Sequence, residues 1–353
     1  MQINTLVEID PCAGPSLSVD CMIETLKTLP KPKYLFRGII EPSVGIFFGP
    51  SKSGKTTLVE NLLFSIAAGR SEFLGDAISA SKPKVLLVSL EEFYRNRTAR
   101  NERQIQHFTD QYGLNPSWSQ NIYVIDDSFP RYFVLEEHWT LLEKEIERIQ
   151  PIAVMIDSLT RLTVDAIEES TVASKLMKRL REIAYKNKVA LIIIHHSQKL
   201  DNKPITLASL AGSRVVGQEV DFIFGVNRTS DHTRYLKDVA FRYAPDDSEH
   251  VLKFSINDHL GVKSLGNALE VDILNGSSSG LSINSSDNNI LQFLMETTGG
   301  DFSVFIKTGD LYQRFVHTGL MSRPTMHTAL NRLEKANAII KIGKGLYALK
   351  PPS

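Results

Sequence analysis

Gly49-Pro50-Ser51-Lys52-Ser53-Gly54-Lys55-Thr56 decides how this 353-residue chain is read, together with Ile46-Phe47-Phe48 before it and Thr57-Leu58-Val59-Glu60-Asn61-Leu62-Leu63 after it. The octet fits G-x-x-x-x-G-K-[ST] at every position. Backbone N–H groups close around a phosphate only where side chains stay out of the way, which accounts for Gly49 and Gly54. Lys55 is spaced to reach the β- and γ-phosphates, and the Thr56 hydroxyl to ligate Mg²⁺. A short apolar strand leads in. A helix opens at Thr56 and Thr57, and its N-terminal dipole favours the anion. The expected ligands are ATP and Mg²⁺, with Gly49 to Thr57 as the contacts.

Hydrolysis needs two more groups: a carboxylate for the Mg²⁺ shell and a group that orients the attacking water. Pro151-Ile152-Ala153-Val154-Met155-Ile156-Asp157 is an apolar strand ending in Asp157, the Walker-B pattern. A carboxylate at that end of a buried parallel strand points into the ligand crevice. Val85-Leu86-Leu87-Val88-Ser89-Leu90-Glu91-Glu92 also ends in acids. Either Glu91 or Glu92 could polarise water, with Glu91 preferred.

Working outward, unbroken apolar runs recur at 46–48, 85–88, 122–125, 152–156, 191–194 and 222–224. Runs without alternation suit strands buried on both faces. Helical patterns lie between several of them, at 56–68, 135–149 and 171–187. The fold class is therefore α/β with a mostly parallel sheet. An N-terminal segment over 1–33 is interrupted by Pro11, Pro15, Pro30 and Pro32, and the ATPase core is expected over 34–274. A Ser/Gly/Asn-rich linker follows over 275–287. The remainder, 288–353, has helical spacing at 288–295, 310–315 and 322–333, with Ser322 as N-cap and Pro324 in the first turn. A glycine-bearing hairpin spans 338–349. Three helices and a hairpin look like a winged helix, a small α+β domain whose third helix enters a major groove. Arg323 and His327 on that helix, and Lys341 and Lys344 on the wing, are the candidate duplex contacts.

Composition narrows the classes. Forty basic and 40 acidic residues cancel, which excludes a uniformly basic coat for nucleic acid but leaves room for local basic faces. Lys175 to Lys203 holds eight Lys or Arg against two acids, and Phe302 to Ser353 holds eight against two. Cys12 and Cys21 are too few for a disulfide framework, and no Cys/His spacing matches zinc. No signal peptide and no membrane-length apolar run is seen. The expectation is a cytoplasmic protein with no membrane partner.

With Tyr34-Leu35-Phe36-Arg37-Gly38 before the phosphate loop, Ser89-Leu90-Glu91, Met155-Ile156-Asp157 and His195-His196-Ser197-Gln198-Lys199, the chain resembles the RecA-like P-loop ATPases. Within them it is most similar to the RepA-type plasmid helicases and the DnaB-like replicative helicases. The resemblance spans about Tyr34 to Asp258. It implies that Glu91 is the catalytic glutamate and Asp157 the Walker-B aspartate. It also implies that His196 or Gln198 senses the γ-phosphate. A basic residue of a neighbouring subunit would complete the site, with Arg242 matching the family's arginine; Ala240 stands where the family has lysine, and Arg214 and Arg228 are rivals. Lys199 and Lys203 would line a central channel and touch single-stranded DNA. The implied assembly is a homo-oligomer, a hexamer, that moves along or unwinds DNA for a plasmid or mobile element. Rival functions are an ATP-switched DNA-binding regulator or loader, and a recombination ATPase.

Overall fold

The computed structural model describes residues 16–28, 34–80, 83–197, 200, 203–210, 214–229, 232–245, 247, 249–274, 285–299, 301–335, 338–343 and 345–350. Gln198, Lys199, Lys344 and the expected linker residues 275–284 lie outside them. The chain divides into two compact units, Met1–Glu270 and Val271–Ser353.

The first unit is built on a nine-stranded sheet. Its strands are β1 (Ser43–Gly49), β2 (Val85–Ser89), β3 (Ile122–Val124), β4 (Ala153–Asp157), β5 (Ala190–His196), β6 (Phe222–Arg228), β7 (Arg234–Phe241), β8 (His250–Ile256) and β9 (Val262–Leu269). They lie in the order β9-β8-β7-β6-β1-β5-β4-β2-β3. From β6 to β3 every pairing is parallel. From β6 to β9 the pairings are antiparallel. The α/β reading with a mostly parallel sheet holds, and the antiparallel extension is the part the periodicity did not show. The central strand β1 is buried at all seven positions, as expected for a strand covered on both faces.

The helices of this unit are α1 (Val19–Thr28), α2 (Lys55–Ala67), α3 (Tyr94–Tyr112), α4 (Glu136–Ile149) and α5 (Ser170–Asn187), with a short helix at Arg214–Glu219. Three match the sequence expectation to within a residue or two. Helix α3 was not expected, for a physical reason. Its buried face is Arg97, Asn101, Gln104 and Phe108, which has helical spacing but is mostly polar, so hydrophobic periodicity cannot find it. These groups are tolerated inside because they satisfy one another. Arg97 donates to Asn101 at 3.1 Å, Asn101 to Gln104 at 2.9 Å and Gln104 to Glu60 of α2 at 3.1 Å.

The basic excess of α5 is largely spent on ion pairs. Arg179 meets Glu136 and Glu143, Lys186 meets Glu143 and Glu147, and Arg181 meets Glu219 and Asp221. The zero net charge is thus partly local, with the acids of α4 facing the bases of α5. Cys21 carries a disulfide. No helix among the described residues is long and apolar enough to cross a membrane.

The second unit contains α6 (Ser285–Thr298), α7 (Thr308–Leu311) continuing into a π-helical turn (Tyr312–Val316), and α8 (Arg323–Lys335). Its strands are β10 (Ile306–Lys307), β11 (Ile339–Ile342) and β12 (Leu346–Leu349), in the order β10-β12-β11. Ser322 caps α8, its hydroxyl accepting from the Thr325 N–H at 3.3 Å. The core includes Ile290, Leu294, Phe315, Met326, Leu330 and Tyr347, and Arg332 of α8 grips Asp287 of α6 at 2.7 Å.

Candidate active site at the carboxyl ends of the parallel strands

Register brings the expected groups into one row. Gly49 pairs with His196, Ile194 with Asp157, and Asp157 with Ser89. The loops after β1, β2, β4 and β5 therefore leave the sheet side by side, in the crevice where open α/β sheets take ligands.

The phosphate loop fits its expected task. A Cβ on Gly49 would lie 1.9 Å from the Val226 carbonyl oxygen, so only glycine lets the loop pass β6. Gly54 precedes α2 at φ 103°, in the left-handed region that favours glycine. The Lys55 ammonium donates to Gly49 O at 2.9 Å and Pro50 O at 2.8 Å. Thr56 Oγ1 donates to Asp157 Oδ2 at 2.7 Å. That hydroxyl and carboxylate are a hard-oxygen pair of the kind Mg²⁺ shares with nucleotide oxygens. Among the described residues no cluster of three or more His, Cys, Asp or Glu could hold a metal by itself.

A cavity of about 220 Å³ adjoins these groups, lined by Thr56, Ser89, Glu91, Glu92, Arg97, Arg100 and Asp157. Within it the two acids after β2 diverge. Glu92 pairs with Arg100 at 2.9 Å. Glu91 accepts from Ser158 Oγ through Oε1, and its Oε2 lies 3.7 Å from His196 Nε2. At that distance the imidazole acts on Glu91 electrostatically. His196, followed by the Ser158 bond, holds the Glu91 carboxyl down at about 2 against the opposing effect of burial. Glu91 is thus ionised throughout the neutral range. So acidic a group is a poor proton acceptor, and its chemistry is to orient and polarise a water. Burial pushes the Asp157 carboxyl up; the Thr56 bond opposes this and the Glu91 charge adds to it.

Burial lowers the Lys55 ammonium to about 8, against the favourable charges of Asp157 and Glu91. An incoming polyphosphate stabilises the charged form and raises that value. Binding therefore takes up a proton where the free lysine is partly neutral, and affinity falls as pH rises through about 8. Titration calorimetry at pH 8.5 in buffers of different ionisation enthalpy is expected to show net proton uptake; none at pH 8.5 contradicts the depressed lysine.

Other expected residues lie elsewhere. Arg242 follows β7 at the opposite end of the sheet, donating to Gln218 O at 3.0 Å and lying 3.6 Å from Asp221. It cannot reach the phosphate loop of its own chain. Arg228 sits opposite Arg234 across the β6–β7 hairpin, and Arg234 Cδ comes within 3.4 Å of where a Gly54 Cβ would be. These two arginines therefore stand beside the loop of their own chain. Lys203 is exposed on the segment after β5. In the second unit Arg323 Nε donates to Tyr312 OH at 2.7 Å, the Tyr312 hydroxyl also bonds His327 Nε2, and Lys341 lies 5.9 Å above the Tyr347 ring. The sequence reading missed Ser158, Arg97 and Arg100. Ser158 had a signal, adjacency to Asp157; the arginines had only the polar helical spacing of α3.

Several comparisons with known proteins bear on this geometry. No curated protein matches the sequence. Among solved structures, a KaiC-like protein from the hyperthermophilic archaeon Pyrococcus horikoshii OT3 is 15% identical over 65% of this chain and 93% of its own, with a TM-score of 0.46. The ATPase domain of G40-P is 16% identical over 64% of this chain and 85% of its own, with a TM-score of 0.47. A family model for the AAA domain matches residues 16–202, more than half of the chain and including Gly49 to Thr56, Glu91, Asp157 and His196. A phosphate loop, a Thr56–Asp157 pair and an ionised glutamate lie together at the carboxyl ends of a parallel sheet, and the chain belongs to the AAA domain family, which points to an ATPase.

Proposed function

We propose that this protein is an Mg²⁺-dependent ATPase that binds DNA and couples ATP hydrolysis to movement on or unwinding of it, as a ring-forming helicase of the RepA/DnaB type serving a plasmid or mobile element. The observation that carries the reading is the placement of Thr56, Asp157 and Glu91 around one small cavity, with Lys55 within electrostatic reach of both carboxylates. In this reading Gly49 to Thr57 hold the triphosphate, and Lys55 exchanges its two carbonyl partners for phosphate oxygens. Thr56 and Asp157 hold Mg²⁺, which when bound neutralises charge on the transferred phosphoryl group. Glu91 orients the attacking water, and His196 with Ser158 fixes Glu91.

Arg242 acts on the site of a neighbouring copy. Its location at the far end of its own sheet supports a role in trans, and a hexamer closes such head-to-tail contacts. Single-stranded DNA runs through the ring past Lys199 and Lys203. The second unit, three helical segments and a hairpin, is read as a winged helix that meets duplex DNA through Arg323, His327, Lys341 and Lys344. A rival for this unit alone is protein docking, favoured by the exposure of Phe302, Val304, Phe305, Ile340 and Ile342.

The test is ATP turnover with and without single-stranded DNA, beside unwinding of a forked duplex. Glu91→Gln is expected to lower kcat by about 100-fold or more while ATP binding persists. Turnover that DNA does not raise, without unwinding, overturns the motor and leaves an ATP-switched DNA-binding regulator.

A further inference from the structure

Glu91 and Glu92 are followed at once by a large apolar side chain that the fold leaves in water. Phe93 is 70% exposed, Tyr94 is 42% exposed and Tyr132, on the loop between β3 and α4, is 49% exposed. Hydrophobic burial would ordinarily hide such rings. Here each of two rings is instead matched with a guanidinium. Arg131 lies 5.4 Å from the Phe93 ring centroid, and Arg161 lies 4.2 Å from that of Tyr132.

Both arginines also connect to the catalytic turn. Arg131 donates to the carbonyls of Ser89 and Glu92, bracketing Glu91, and pairs with Asp127. Arg161 acts on the Glu91 carboxylate through its charge. It forms no ion pair among the described residues, and neither does the exposed Arg95 beside Tyr94.

We infer that Phe93 and Tyr132, with Arg131, Arg161 and Arg95, form a stacking platform for the bases of single-stranded nucleic acid, reporting strand occupancy to Glu91. Open aromatic faces take any base, and a cation behind each ring strengthens the stack. Arg161 and Arg95 supply the charge that meets the backbone phosphates, while Asp127 already neutralises Arg131. Duplex DNA has no free base faces and is not the ligand. A base on Phe93 presses on the segment that carries Glu91, and one on Tyr132 acts through Arg161. The inference rests on the proposed function, since it assumes that the chain binds a single strand.

The experiment measures binding of a labelled oligothymidine by anisotropy, and its stimulation of ATP turnover, for the unaltered chain, Phe93→Ala and Tyr132→Ala. Each variant is expected to bind roughly tenfold more weakly and to lose most of the stimulation, with basal turnover within about twofold. Phe93→Trp supplies a direct probe. The native Trp118 and Trp139 are buried, so quenching by oligothymidine reports position 93. Quenching that duplex DNA does not reproduce supports the platform. If the unaltered chain binds no single strand, the proposed function fails and the platform with it. If it binds and neither alanine variant is weakened, the platform alone is overturned. A changed oligomeric mass of Phe93→Ala without nucleic acid also overturns it, because the ring would then be a contact between copies.

Discussion

Lys55→Ala is expected to remove ATP binding and turnover together, with kcat/KM falling by on the order of 10³ or more. The lysine is buried, 4% exposed, and both of its hydrogen bonds go to carbonyls of the loop it serves. Truncation therefore removes the charge that meets the phosphates and one of the two donors at each carbonyl, leaving Gly49 O with the Ser197 N–H and Pro50 O with the Ser53 N–H. Lys55→Arg is no remedy, because a planar fork does not fit where a compact ammonium sits between two carbonyls. Nucleotide binding by calorimetry and turnover by phosphate release check this. Turnover that survives within tenfold of the unaltered chain contradicts the assignment of the site.

Glu60→Gln is expected to cost about 3–5 kcal/mol of stability, because it leaves a buried guanidinium without its counter-charge. Glu60 on α2 is 0% exposed and Arg97 on α3 is 1% exposed; the two meet at 2.9 Å, and Arg100 reaches the same carboxylate oxygen at 2.7 Å. Burial already lowers the Arg97 pKa, and Glu60 is its main electrostatic support. Thermal unfolding should move down by roughly 10 °C for a domain of this size. The double variant Glu60→Leu/Arg97→Met should recover much of the loss, since a buried ion pair replaced by apolar groups of similar volume costs little. A single variant that unfolds within 2 °C of the unaltered chain rules out the pair as a structural tie.

The two experiments address neighbouring parts of one design. Helix α2 carries Lys55 and Thr56 in its first turn and Glu60 one turn later. It is thus joined to the phosphate loop at one end and to α3 along its side. Arg97 and Arg100 of α3 line the same cavity as Thr56 and Asp157. Their ties to Glu60 hold them there, and Arg100 also draws Glu92 away from Glu91.

The phosphate loop, Asp157 and the α/β class were legible in the residues themselves. Each depends on chemistry that is contiguous along the chain. A glycine is required by its own backbone and near neighbours, and a lysine is set by its spacing in one turn. A carboxylate at a strand end is aimed by the strand that carries it. Buried parallel strands declare themselves because burial on both faces leaves uninterrupted apolar runs.

What only the tertiary structure decided depends on pairs far apart in sequence. The sequence preferred Glu91 to Glu92 without showing the partners of either; the fold sets Ser158 and His196 beside Glu91 and Arg100 beside Glu92. Helix α3 stayed invisible because its inward face is polar, acceptable only once Glu60 of α2 is packed against it. The basic run of α5 read as a charged helical face; that the acids of α4 stand opposite it was set by the packing of the two helices. The place of Arg228, opposite Arg234 on the β6–β7 hairpin, is likewise set by strand pairing. Local conformation and spacing are written in consecutive residues, whereas the electrostatic partner of each charge is chosen by which elements the fold brings together.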